Sequence, residues 1–116
     1  MSQYQGIFVV INNTGHPISN VIVTHATTGF GPNTFTATTL LDSTPSAAMA
    51  LVTSTPNKDR WTVAFVMQGQ AFTGYVNCGF ESSDNGGVVR VVLDAESFDI
   101  DMPVSSSCTD NDYQQN

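Results

Sequence analysis

Basic residues are nearly absent from this chain of 116 residues. Lys58, Arg60 and Arg90 stand against ten acidic residues, and the formal net charge is -7. Nucleic-acid binding depends on Lys and Arg side chains that neutralise phosphates, and anionic lipid surfaces attract polybasic segments. We therefore expect no nucleic-acid partner and no electrostatic docking on anionic membranes.

Charge of either sign is also scarce, because charged residues make up 11% of the chain against roughly 25% in an average soluble domain. Ser, Thr, Asn and Gln take their place. Such a surface repels copies of itself only weakly. It is compatible with neutral polar ligands, and it predicts a dimer or a larger homo-oligomer.

Cysteine is limited to Cys78 and Cys108, which are too few for a disulfide framework. In a reducing compartment both would be free thiols, and Cys78 continues the alternation of a strand as a small buried residue would. A Cys78–Cys108 bridge is the alternative. Residues 1–11 lack the positive segment and cleavage site of a signal peptide. We expect a cytoplasmic protein, or one secreted by a route without a signal peptide.

Catalytic signatures are missing as well. No Gly-x-Ser-x-Gly turn accompanies His16 and His25, the only histidines. We predict that the protein is not an enzyme and has no cofactor. The two histidines, and Asp99 with Asp101 on one strand face, are weak metal candidates. The alternative interpretation, hydrogen-bonded histidines and a solvated acidic edge, leads us to predict no metal site.

The alternation of large apolar side chains with smaller ones, which is typical of a strand, is clearest in Asp59–Met67. Trp61, Val63, Phe65 and Met67 fall on alternate positions, so they share one face of a strand. We predict a central core strand with this face inward.

Similar patterns predict about eight short strands at spacings of roughly ten residues, which is typical of an antiparallel β-sandwich. We expect the first strand to be buried on both faces and to form a hairpin with the second, and the fifth and sixth strands to form another. Residues 1–103 are the predicted domain, and residues 104–116 an acidic polar tail that is mostly disordered. The predicted strands are Tyr4–Asn12, Ile18–Thr27, Thr34–Leu41, Ser46–Ser54, Asp59–Met67, Gln70–Cys78, Val88–Leu93 and Phe98–Met102.

Four aromatic residues are candidates for ligand binding. Phe30 and Phe80 lie next to glycines in predicted loops, Trp61 begins its strand, and Tyr75 lies on the opposite face of its strand from Phe72. Rings exposed at one end of a sandwich can contact a lipid head group, a glycan or a protein; the alternative is that they cover the core. Clustered exposure would favour ligand binding, and flat exposed strands rich in threonine would favour assembly.

Two stretches resemble the PUD domain family. Residues 9–25 contain an apolar strand, the sequence Asn-x-Thr-Gly at Asn12–Gly15, and a second strand that ends in His25. Residues 59–63 are similar to the central Asp-Trp strand of that family, although Thr62 stands where the family has a second Trp. The family is similar to the aegerolysins, small acidic β-sandwich proteins of which several bind sphingolipid-containing membranes. The resemblance implies a non-enzymatic β-sandwich that binds such membranes or a polar ligand. The alternative is a structural protein that forms homo-oligomers through its weakly charged surface.

Overall fold

The computed structural model describes residues 4–27, 30–53, 59–111 and 113–115. Within these ranges the chain forms ten β-strands and a single 3₁₀ turn, and the strands assemble into two sheets. The prediction of an all-β sandwich is confirmed. The elements are β1 (Tyr4–Asn13), β2 (Ile18–Thr27), β3 (Phe30–Leu40), β4 (Met49–Thr53), β5 (Asp59–Met67), β6 (Gln70–Asn77), the 3₁₀ turn (Ser82–Asp84), β7 (Val88–Asp94), β8 (Phe98–Asp101), β9 (Cys108–Asp110) and β10 (Gln114–Gln115).

The first sheet has the strand order β4-β1-β7-β8-β9, and the second has the order β10-β6-β5-β2-β3. Neighbouring strands are antiparallel except β1 and β7, which run parallel with Ile7 opposite Val88. Parallel neighbours need a long connection. Here that connection contains β2, β3, β5 and β6, so most of the second sheet is built between two central strands of the first.

The core lies between the inward faces of the two sheets. On β5, Trp61, Phe65 and Met67 are buried as their alternation predicts. A two-layer sandwich covers only one face of each sheet. The expectation that β1 is buried on both faces is therefore wrong, since Phe8 is fully buried while Ile7 faces outward and is exposed.

One of the two predicted hairpins forms and the other does not. β5 and β6 form one, and Gln68 and Gly69 between them have the positive φ angles, 52° and 78°, that suit a two-residue hairpin turn. β1 and β2 do not pair and lie in different sheets. The buried Asn12 amide donates to the carbonyls of His16 at 2.7 Å and Leu40 at 2.9 Å, which anchors the β1–β2 turn to the end of β3. The turn therefore carries the chain from one sheet to the other.

Residues 103–111 and 113–115, called the strap from here on, are not disordered as the sequence predicts for 104–116. β9 pairs with β8 at the edge of the first sheet, and β10 pairs with β6 at the edge of the second. Cys78 and Cys108 form a disulfide bond, so the expectation of free thiols is wrong. The strap joins the two sheets along one side of the sandwich.

Candidate functional site

The predicted aromatic contacts do not form an exposed cluster. Trp61 is fully buried, and its Nε1 donates to the carbonyl of Cys78 at 3.0 Å. Phe80 is buried too, and its ring lies so close to Gly6 that a Cβ there would be 2.8 Å from Cζ. Their rings cover the core, as in the alternative interpretation, and cannot contact a surface ligand in this conformation. Phe30 belongs to β3, but its side chain lies outside the described part of the structure.

His25 belongs to a buried polar network that also contains Asp59 and Asn33. Its Nδ1 lies 3.0 Å from Asn33 Oδ1, and its Nε2 hydrogen-bonds with Asp59 Oδ2. The second oxygen of Asp59 accepts the N–H of Phe80 at 3.0 Å. His25 and Asp59 are both fully buried, and the His25 ring centroid is 4.7 Å from that of Trp61.

This network resembles a catalytic His–Asp pair only in its composition. A catalytic pair needs an adjacent nucleophile and access for a substrate, and both side chains are closed off from solvent. The network instead ties β2, β3, β5 and the segment at Phe80 together. The sequence analysis missed Asp59 as a core residue, although Asp59 continues the alternation of Trp61 and Val63 and so faces the same side of β5.

The weak metal candidates are not brought together. His16 is exposed in the turn before β2, whereas His25 is buried near the far end of that strand. Asp99 accepts a hydrogen bond from the Thr109 hydroxyl at 2.5 Å, and Asp101 forms an ion pair with Arg90 at 3.5 Å. Among the described residues, no group of three or more His, Cys, Asp or Glu side chains could hold a metal ion.

Tyr75 is the one predicted ligand contact whose described ring is exposed, at 55%. It borders an open cleft of about 360 Å³ between β6 and the strap. The Arg60 guanidinium lies over the Tyr75 ring, 4.2 Å from its centroid. We call this the polar cleft; its lining residues are Gly74, Tyr75, Val76, Asn77, Asp110 and Gln114.

The outward face of the second sheet is free of acidic side chains over the described parts of β2, β3, β5 and β6. Ile22, at 45% exposure, lies opposite Thr36, and Thr24 lies between Thr34 and Thr62 in the register. Apart from Arg60, Ile22 and Tyr75, the side chains of this acid-free face are threonine and other uncharged residues. By contrast, β8 in the first sheet carries Asp99 and Asp101 outward.

Asp84 fixes the start of the strap to the 3₁₀ turn. Its Oδ1 accepts the N–H groups of Val104 and Ser105, both at 2.9 Å. Its Oδ2 accepts the Ser105 hydroxyl at 2.5 Å and the Glu81 N–H at 2.9 Å. Burial disfavours the charged carboxylate, but the bonds from Ser105, Glu81 and Val104 outweigh it and lower the pKa of Asp84.

Tyr113 fixes the end of the strap to the core. Its ring centroid lies 5.3 Å from Phe65, 5.9 Å from Phe72 and 5.8 Å from Phe98. Its hydroxyl lies 2.7 Å from the carbonyl oxygen of Ser97 and 3.1 Å from that of Asp94. Burial, reinforced by the negative charges of Asp94, Asp110 and Asp99, raises the pKa of Tyr113 well above its ordinary value. The phenol is therefore protonated and donates at neutral pH.

No protein-family model and no curated protein matches this sequence. The part of the chain that the structure describes contains no helix with the length and apolar character needed to cross a membrane.

Proposed function

We propose that the protein is a non-enzymatic β-sandwich binding module and that its polar cleft takes a hydroxyl-rich neutral ligand, a short glycan. The observation that carries this proposal is the exposed Tyr75 ring at the border of a cleft whose lining residues include Asn77, Asp110 and Gln114. An aromatic face packs against the C–H side of a sugar, while amide and carboxylate groups bond to its hydroxyls.

The sugar can be a free glycan or the head group of a glycosylated sphingolipid, the source that the resemblance to aegerolysins suggests. The chemistry at the cleft is the same in both cases. The composition of the chain fits a neutral ligand better than an anionic one, because few basic side chains could neutralise a phosphate or a carboxylate.

Glycan-array binding and vesicle co-sedimentation test this function together. The vesicles contain neutral phospholipid alone, or sterol with a glycosylated sphingolipid. We expect binding to an array glycan, and Tyr75→Ala should weaken it by about tenfold or more, the size of a lost aromatic contact. Ile22→Ala, on the same outward face but outside the cleft, serves as the control.

The vesicle arm distinguishes the two sources. Binding to the sphingolipid vesicles that a soluble form of the same sugar abolishes would identify the lipid head group as a ligand. Binding to array glycans without vesicle binding would identify a free glycan. Equal binding by wild type and Tyr75→Ala in both assays would refute a role for the polar cleft.

The second candidate is a structural protein that forms a homo-oligomer, and the acid-free face is the observation that favours it. A chain with a net charge of -7 repels its own copies. That repulsion is weakest where acidic side chains are missing, so two acid-free faces can approach each other more closely than two first sheets.

Light scattering over a range of concentrations tests this candidate. We expect Ile22→Glu to shift an oligomer towards the monomer by about tenfold in dissociation constant, because it buries a charge in the interface. Val88→Glu is the matched control: Val88 is 43% exposed and Ile22 is 45% exposed, but Val88 lies on the outward side of the first sheet. A monomer at all concentrations would eliminate this candidate.

A further inference from the structure

The Cys78–Cys108 disulfide links the strap to the end of β6. Cys78 follows directly after β6 in the second sheet, and Cys108 begins β9 in the first, 30 residues later in the sequence. Both cysteines line an open cleft of about 240 Å³ whose other sides are formed by Asn77, Gly79, Glu81, Ser105 and Ser106. Cys78 is 2% exposed, and Cys108 is only partly buried. The cleft therefore gives a small reagent access to the disulfide, from the side of Cys108.

The strap contacts the rest of the described sandwich, residues 4–27, 30–53 and 59–102, which we call the body, in two places. Tyr113 lies over the core rings of Phe65, Phe72 and Phe98. Asp110 and Gln114 supply one wall of the polar cleft. The strand pairing that holds these residues is short, since β9 has three residues and β10 has two. Such short pairing contributes little by itself, so the attachment depends on the disulfide together with Asp84 at the start of the strap and Tyr113 at its end.

We propose that the cleft over Cys78–Cys108 is a thiol–disulfide exchange site for a dithiol reductant, and that reduction there releases the strap and dismantles the polar cleft. Only the last step of this proposal, the loss of ligand binding, rests on the proposed function. The exchange and the release of the strap stand on the geometry of the disulfide and its cleft.

The reaction is a two-electron exchange. One thiolate of the reductant attacks Cys108 Sγ, the S–S bond breaks, and Cys78 leaves as a thiolate that takes up a proton. The Cys78 sulfur lies 3.8 Å from the carbonyl of Ser106, to which the new thiol can donate. The second thiol of the reductant then attacks the mixed disulfide. Cys108 leaves as a thiolate that is protonated in turn, and the reductant is oxidised to a disulfide.

The first experiment follows reduction of the oxidised 116-residue chain by dithiothreitol without denaturant. Alkylation and mass spectrometry report the thiols, and hydrogen exchange reports the opening of the strap. We expect both cysteines to be reduced while the amides of β2 and β5 stay protected. Exchange of the amides of 108–111 and 113–115 should become at least about tenfold faster, because the cross-link no longer restricts the open state. Reduction that requires unfolding of β2 and β5, or unchanged exchange in the strap, would overturn the proposal.

Ser106→Trp tests the role of the cleft. The larger side chain narrows access to the disulfide, so the rate of reduction should fall by about tenfold while the product stays the same. Ser82→Trp, at an exposed position that does not line the cleft, is the control. Equal rates for the two variants would overturn the assignment of the cleft as the exchange site.

Cys108→Ala provides a second route to the open strap that needs no reductant. Its exchange pattern should match that of the reduced wild type. Glycan binding is then compared between oxidised wild type, reduced wild type and Cys108→Ala. Binding by the oxidised form alone supports control of the ligand site by the disulfide. If the oxidised form binds no glycan, the proposed function fails, and the exchange measurements still decide whether the strap is released.

Discussion

The body of the sandwich and the strap bury polar groups in different ways. In the body, His25 and Asp59 are fully buried, and they are joined by contacts that link strands of the second sheet. The strap is held at its two ends: Asp84 of the 3₁₀ turn accepts backbone N–H groups near its start, and Tyr113 near its end donates to the backbone carbonyl of Ser97. A substitution that breaks contacts in the body should therefore lower the stability of the whole domain. A substitution that breaks contacts of the strap should mainly weaken the structure on the side of the sandwich where the strap lies.

The largest effect is expected for Asp59→Asn. The variant keeps the shape of the side chain and an oxygen that can accept the Phe80 N–H, but it replaces the carboxylate oxygen that hydrogen-bonds with His25 Nε2 by an amide nitrogen. We expect the free energy of unfolding to fall by about 3 kcal/mol or more, because a buried hydrogen bond to a charged carboxylate is lost. Urea denaturation measures it, with Asp99→Asn at the sheet surface as the control. A loss no larger than that of the control would contradict the importance assigned to the network.

Tyr113→Ala comes next. It removes a ring that packs on three phenylalanines, and we expect a loss of about 3 kcal/mol in urea denaturation, as for other buried aromatic truncations. Tyr113→Phe keeps the ring and loses the hydrogen bonds to Asp94 and Ser97, so a loss of about 1 kcal/mol is expected. If the two variants were equally stable, the ring would contribute nothing beyond its hydroxyl.

Gly74→Ala tests how closely β6 packs against the first sheet and the strap. A Cβ at Gly74 would lie 2.8 Å from Phe98 Cε1 and 3.3 Å from Tyr113 Cδ1, so the rings would have to shift. We expect a loss of about 2 kcal/mol in urea denaturation. Gly79→Ala is the control, because no atom outside its immediate chain neighbours lies within 4 Å of a Cβ built there. Equal stability of the two variants would mean that the rings of Phe98 and Tyr113 move aside without cost.

A small effect, one that depends on pH, is expected for Asp84. Its pKa is lowered in the folded chain, so its contribution is present above its unfolded pKa of about 3.9 and is lost as the pH falls through the folded value. Asp84→Asn should reduce stability by about 1–2 kcal/mol at pH 7. The difference from wild type should shrink below about pH 4. Urea denaturation at several pH values measures this difference, and a difference that does not change with pH would contradict the role of the charge.

The same contrast explains what could be predicted from the sequence. Alternation along β5 predicts the core positions of Trp61, Phe65 and Met67, since strand periodicity is a local property. The same periodicity extends to Asp59, but its burial could not be predicted, because the groups that bind its carboxylate, His25 and the Phe80 N–H, are distant in the sequence. The pairing of β1 could not be predicted, because turn residues show that a chain reverses but not which sheet receives it.

The strap was predicted wrongly for a similar reason. Its composition offers little to bury, and only Tyr113 and Cys108 interact strongly with the core. The partners of the strap are distant in the sequence: Asp84 is 20 residues from Val104, and Cys78 is 30 residues from Cys108. Tyr75, the one candidate contact with an exposed ring, was predicted from alternation, whereas the cleft beside it depends on the strap and could not be.

The parallel pair of β1 and β7 sets the order in which the domain can be completed during synthesis. The side chain of Asn13 at the end of β1 donates to that of Asp94 at the end of β7, 81 residues later. The apolar strand β1 emerges from the ribosome long before this neighbour exists, and such distant contacts form slowly. Until β7 arrives, β1 presents an unpaired apolar edge of the kind that aggregates or recruits chaperones. We therefore expect the nascent chain to need protection until nearly all of the sandwich has been made.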